Sequence, residues 1–224
     1  MERFTTFDGE CPPHGPQYGT VIEHVLPEDY RWPNATVPYN YDGTFDPVQL
    51  ANIREAMETL SHRTCLRFKE RTFEDRYLTI TNTPDDGCWA DTGRQQHGPT
   101  YANLAATCTK RSGTILHELL HVLGFPHQHA RPDRDHHVCV WYEHILPQPA
   151  ALYSYEIVRP WPKLAFPLPY DFESIMHYTP DMYSIAAGQL STLTARHPWN
   201  VAAVGQREQL TDYDVLGIQF LYCV

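Results

Sequence analysis

The residues best equipped for chemistry lie on one line of sequence: His117-Glu118-Leu119-Leu120-His121-Val122-Leu123-Gly124-Phe125-Pro126-His127. Side chains four apart on a helix lie one turn above each other, so His117 and His121 point the same way and can grip one zinc ion. Glu118 is rotated away from that direction by one residue. It falls beside the metal, where a general base for a zinc-bound water belongs. Gly124 lets the backbone leave the helix abruptly, and His127 returns as a third ligand. Three neutral imidazoles leave a coordination position open to water, whose pKa falls to about 7 on zinc, whereas a closed structural site takes a fourth protein ligand. A bare H-E-x-x-H pair also arises by chance on buried helices; the third histidine after a glycine makes the pattern specific. His129, His136, His137, His144 and His177 are close in sequence and read as surface or packing residues.

The helix that must carry this pattern is expected from Ser112 to Leu123, with Gly124 as its stop. An earlier helix is expected from Asp46, which can cap it. Pro47 suits its first position, and Leu50, Ile53, Met57 and Leu60 share a face. A last helix should begin near Thr211, which can cap it with Asp214 three residues on, and carries Leu216 and Phe220. Strands are expected at Cys65–Phe68 and Tyr77–Thr81. Residues Leu146 to Tyr170 contain six prolines and read as a long irregular region. The Pro- and Gly-rich stretch from Glu10 to Gly19 reads as an extended arm. The class is therefore mixed α+β, with helices in both halves.

Composition narrows the partners. The 224 residues suit one sizeable domain or two lobes. A formal net charge of −10, with no basic run of five or more, excludes a nucleic-acid groove or an anionic membrane surface as partner. No apolar segment is long enough to span a bilayer. Thirteen histidines and six cysteines are an unusual stock. The cysteines form no C-x-x-C pair and read as disulfides, which implies an oxidising, extracellular location, although Met1 to Cys11 contain no apolar signal-peptide stretch. One sequon, Asn34-Ala35-Thr36, fits secretion but carries little weight alone.

His117 to His127, followed by Arg131, Asp133, Arg134 and Asp135, resembles the extended zinc signature of the astacin family of metalloendopeptidases, in the metzincin clan. Ser174-Ile175-Met176-His177-Tyr178 resembles the Met-turn in the form astacins use. Further matches are Arg31-Trp32-Pro33-Asn34 with Pro38-Tyr39, Gly87-Cys88-Trp89, Gly205-Gln206-Arg207 and Tyr222-Cys223, so the likeness runs over about residues 23 to 224. The resemblance implies a two-lobed catalytic domain at 23–224 preceded by an arm at 1–22. The upper lobe, about 23–124, would hold a twisted sheet and the active-site helix. The lower lobe, about 125–224, would be loop-rich, with the Met-turn and the C-terminal helix. It further implies one zinc ion on His117, His121 and His127, with Tyr178 as a further ligand at rest that then stabilises the oxyanion. Met176 would be an apolar floor, and Glu118 the base acting on a peptide or protein substrate laid along a strand edge. The implied disulfides are Cys65–Cys223 and Cys88–Cys108.

Two features depart from the family pattern. Gln128 stands where astacins carry a Glu that anchors the matured N-terminus, and a neutral amide holds an ammonium less well. Phe7-Asp8-Gly9-Glu10 is similar to the zinc-plugging element of astacin pro-segments, with Glu10 in place of its Asp and Cys11 beside it. Either Glu10 or Cys11 plugs the metal and keeps the chain latent, or Cys11 pairs with Cys139 and the arm packs on the surface. The rival reading is a non-catalytic, zinc-stabilised binding protein on the same fold. An intact Glu118 speaks against it, because a binding module needs no base. A thermolysin-like enzyme would take its third ligand from a distant Glu and not from His127.

Overall fold

The structure, a computed structural model, describes Cys11 and residues 30–158, 168–196 and 204–224. These group into two compact units. One holds residues 30–125, Leu168 and 207–224, and the other holds Cys11 and residues 126–158, 169–196 and 204–206.

The first unit is built on a five-stranded sheet. Its elements in chain order are β1 (Thr36–Asp42), α1 (Pro47–Arg63), β2 (Arg67–Glu70), β3 (Leu78–Thr81), β4 (Cys88–Ala90), β5 (Thr100–Leu104) and α2 (Ser112–Val122). The strand order is β2-β1-β3-β5-β4, parallel except for the antiparallel edge strand β4. Residues Thr36–Tyr39 of β1 pair with β2 and Tyr39–Asp42 with β3. Pro38, which has no N–H to give a ladder, therefore sits where β1 has a partner on one side only.

Helix α1 starts as its sequence demands. The Asp46 carboxylate accepts from the N–H groups of Val48 and Gln49 at 2.8 and 2.9 Å, and the Gln49 side chain accepts from Asp46 N at 2.8 Å. This reciprocal cap satisfies donors that a helix start leaves open. Ile53, Met57 and Leu60 are buried, forming one apolar face. The expected strands appear at β2 and β3, shifted by one or two residues. Strands β1, β4 and β5 are not expected from the sequence.

The second unit contains β6 (Val138–Val140), the short α3 (Pro149–Tyr153) and β7 (Leu193–Ala195), with two 3-10 turns ahead of β6 and one between β6 and α3. β6 and β7 pair antiparallel. Around them packs a core of Val138, Val140, Ile145, Ala151, Tyr155, Tyr170, Tyr178 and Leu193. Much of the remaining order comes from side chains that hold backbone. Buried Arg134 donates to the carbonyls of His129 and Tyr155 and to the Tyr142 hydroxyl. Buried Arg131 clamps Asp133 through two 2.8 Å hydrogen bonds. α3 corrects the expectation of an irregular run over Leu146–Tyr170, since Pro149 occupies the first turn of a helix, where its missing N–H costs nothing. Residues 159–167 lie outside the described ones.

The chain ends on α4 (Asp212–Tyr222), capped by Thr211 and Asp214 as expected. By its contacts α4 belongs with the sheet, whereas the resemblance grouped it with the Met-turn. The reasons are local: Cys223 is disulfide-bonded to Cys65, and Arg63 reaches Leu210 O and the Asp212 carboxylate. The Cys88–Cys108 bond is present as the resemblance implied. Cys11 is bonded to Cys139, which removes the Cys11 thiolate as a metal plug. Glu10 lies outside the described residues. No helix among the described residues is long and apolar enough to cross a membrane.

Candidate active site

α2 is buried on nearly every side, with Ile115, Leu116, Leu119, Leu120 and Val122 packed into the core. Its polar residues His117, Glu118 and His121 are buried too, at 6%, 5% and 8% exposure. Such burial is costly without compensation, so the helix must be held firmly. Its end shows how.

Gly124 takes φ +94°, a left-handed conformation that leaves the helix at once. Gly124 N–H donates to His121 O at 2.8 Å and Phe125 N–H to Leu120 O at 3.0 Å, the paired bonds of a Schellman stop. A Cβ at Gly124 would lie 2.6 Å from the Tyr30 ring, so glycine is required by space as well as by φ. The carbonyls that a helix terminus leaves open are all taken. His121 O accepts from Gly93 N–H at 2.8 Å, Val122 O from the Trp32 indole at 2.9 Å, and Leu123 O from the Tyr222 hydroxyl at 2.8 Å. Trp32 and Tyr222 belong to the stretches that resemble the family, where the sequence alone gives them no role. Their role is to fix the end of the helix that carries the histidines.

The rings of His117 and His121 lie edge to face, with centroids 4.7 Å apart. His117, His121 and His127 present ligand atoms that all lie within 4.8 Å of one another. Donor chemistry also fits a metal. His121 Nδ1 is 2.8 Å from Phe125 O. A carbonyl can only accept, so Nδ1 carries the proton and Nε2 keeps its lone pair, the tautomer a ligand needs. Desolvation lowers the His121 pKa to about 4, which keeps the ring neutral. Desolvation also raises Glu118 to about 7, partly opposed by the charge of Arg207. A carboxyl poised near neutrality is suited to take and return a proton.

His127 follows in extended backbone, φ −62° and ψ 140°. Its ring packs 4.4 Å from that of Tyr178, which also lies against His129 at 3.9 Å. Gln128 N–H donates to Met176 O at 2.9 Å, which ties this stretch to the Met-turn. In that turn, Ser174 Oγ accepts from Met176 N–H, and His177 N–H donates to Ser174 O. His177 is fully buried. Its Nδ1 donates to Tyr178 O, which leaves Nε2 to accept from the Tyr170 hydroxyl, both at 2.8 Å. His129 donates through Nε2 to Ser154 O, and His137 stacks on Tyr170. These histidines pack the second unit.

A buried helix with two imidazoles a turn apart, a glycine stop and a third histidine after it defines a zinc-peptidase domain of the metzincin type. The model of the Astacin peptidase family matches residues 25–223, and the chain belongs to this family. Bone morphogenetic protein 1 of Xenopus laevis is 38% identical over 193 residues, which cover 85% of this chain and 27% of that protein. The astacin-like metalloendopeptidase of Gallus gallus is 35% identical over 196 residues, covering 85% and 46%. The chain thus spans less than half the length of either relative. Among solved structures, high choriolytic enzyme 1, a hatching enzyme zinc-protease from Oryzias latipes (medaka fish), is similar with a TM-score of 0.75 and 32% identity, over 86% of this chain and 92% of that one.

Proposed function

We propose that the chain is a zinc-dependent endopeptidase that binds one zinc ion and hydrolyses internal bonds of peptides or proteins in an extracellular setting. The convergence of His117, His121 and His127, with Glu118 buried on the same helix, carries this reading. Three neutral imidazoles would hold the ion and leave it open to substrate. The bound ion supplies Lewis-acid activation of water and of the scissile carbonyl. Glu118 accepts the proton of the attacking water and passes it to the leaving amine. The Tyr178 hydroxyl would be a further ligand to the bound ion and would donate to the developing oxyanion. Three disulfides support the extracellular setting. The Cys11–Cys139 bond is the pairing that the alternative to a plug called for, and of the two candidate plugs only Glu10 is left to propose. The test is digestion of a complex peptide library by intact and N-terminally trimmed protein, with Glu118→Gln as blank. Cleavage by the wild type and none by the variant is expected, with trimming raising the rate. Equal turnover by the variant would remove Glu118 as base, and equal rates before and after trimming would remove the Glu10 plug.

A further inference from the structure

Asn34-Ala35-Thr36 plays no part in the metal site, yet the fold presents it prominently. Asn34 is exposed in a single 3-10 turn just ahead of β1, with φ 54° and ψ 30°. Thr36, the hydroxyl residue two positions on, opens β1 and donates through Oγ1 to Asn34 O at 3.0 Å. Asparagine tolerates left-handed backbone better than most residues. That alone accounts for Asn34 but not for a hydroxyl two places further on.

The neighbourhood adds a second observation. β2 is an edge strand whose one sheet partner is β1, and the register pairs Thr36 with Arg67. Asn34 therefore stands two residues before β1 begins its ladder with β2, on the paired side of β2. Beside it lies a groove of about 1050 Å³ whose lining includes Trp32, Asn34, Pro38, Phe68, Lys69 and Arg76. This mixed lining sets charged hydrogen-bonding groups beside apolar and aromatic surface, a combination that suits the hydroxyls and C–H faces of a sugar chain. The three disulfides point to folding in the oxidising compartment where asparagine-linked sugars are added.

We propose that Asn34 is an N-glycosylation site whose oligosaccharide lies in this groove beside β1 and β2. In the transfer, the Asn34 side-chain nitrogen bonds to the anomeric carbon of a lipid-pyrophosphate-linked oligosaccharide. The bond from that carbon to the pyrophosphate oxygen breaks, the lipid pyrophosphate leaves, and the amide gives up one proton to the transferase. The inference is independent of peptidase activity.

The full chain, secreted from a eukaryotic host behind a cleavable leader, provides the test by peptide mass spectrometry and backbone hydrogen exchange. Asn34 should carry the sugar, and peptide-N-glycosidase should convert it to aspartate. Thr36→Ser should keep the modification, while Asn34→Gln and Thr36→Ala should lose it. Exchange at Arg67–Glu70 should be several-fold slower in the glycosylated protein than in Asn34→Gln. An unmodified Asn34 in secreted, fully disulfide-bonded wild type and Thr36→Ser would overturn the proposal. Equal exchange with and without the sugar would overturn its placement in the groove.

Discussion

His121 and His127 are held by two different kinds of structure. His121 sits at the end of a helix whose last carbonyls are bound by Gly93, Trp32 and Tyr222, and its ring is oriented by the Phe125 carbonyl of the stop itself. His127 lies in extended chain, fixed by ring packing against Tyr178 and by the bond from Gln128 to Met176. The first is positioned by backbone geometry, so only changes at the helix stop should disturb it. The second is positioned by side chains gathered from distant stretches, so it should respond to substitutions far from it in sequence.

Glu118→Gln tests the chemistry and leaves both supports in place. Its kcat should fall by about 10²–10⁴-fold with zinc content unchanged, checked by peptide kinetics and metal analysis. Arg134→Met strikes the side-chain support alone. The carbonyls of His129 and Tyr155 lose a buried charged donor, and stability should drop by about 3 kcal/mol in denaturant titration, with weakened zinc affinity. Unchanged zinc affinity in that variant would show that His127 does not depend on the packing around Arg134. Gly124→Ala strikes the backbone support, through φ strain and contact with the Tyr30 ring. A loss of about 2 kcal/mol is expected by the same measurement. Tyr222→Phe is the gentlest test. It leaves Leu123 O without the phenol and should cost about 1 kcal/mol while activity is kept.

Legibility in the sequence follows the same division. α2, its ligand spacing and its glycine stop lie in one continuous run, so helical periodicity alone predicts how His117, Glu118 and His121 face. α1 and α4 are readable for the same reason, because their caps are local. The sheet is less so. β1 is a mixed stretch containing Pro38, and β4 has three residues; their identity comes from register with partners elsewhere in the chain. The Cys11–Cys139 bond spans 128 residues, a separation over which spacing says nothing about proximity. Likewise Trp32 and Tyr222 stand out as motif residues, but their shared task at the end of α2 depends on a chain path that brings residues 90 and 99 positions away onto adjacent carbonyls.

The bond between Cys11 and Cys139 also sets what a proteolytic cut can do. Hydrolysis at any one bond between these two residues opens the chain but yields a two-chain molecule, still one covalent body. A nick between residues 12 and 29 would create a new amino terminus while the severed piece stayed tethered. Its departure would require reduction as well, so exposing a new terminus and shedding the N-terminal piece are two separable chemical events.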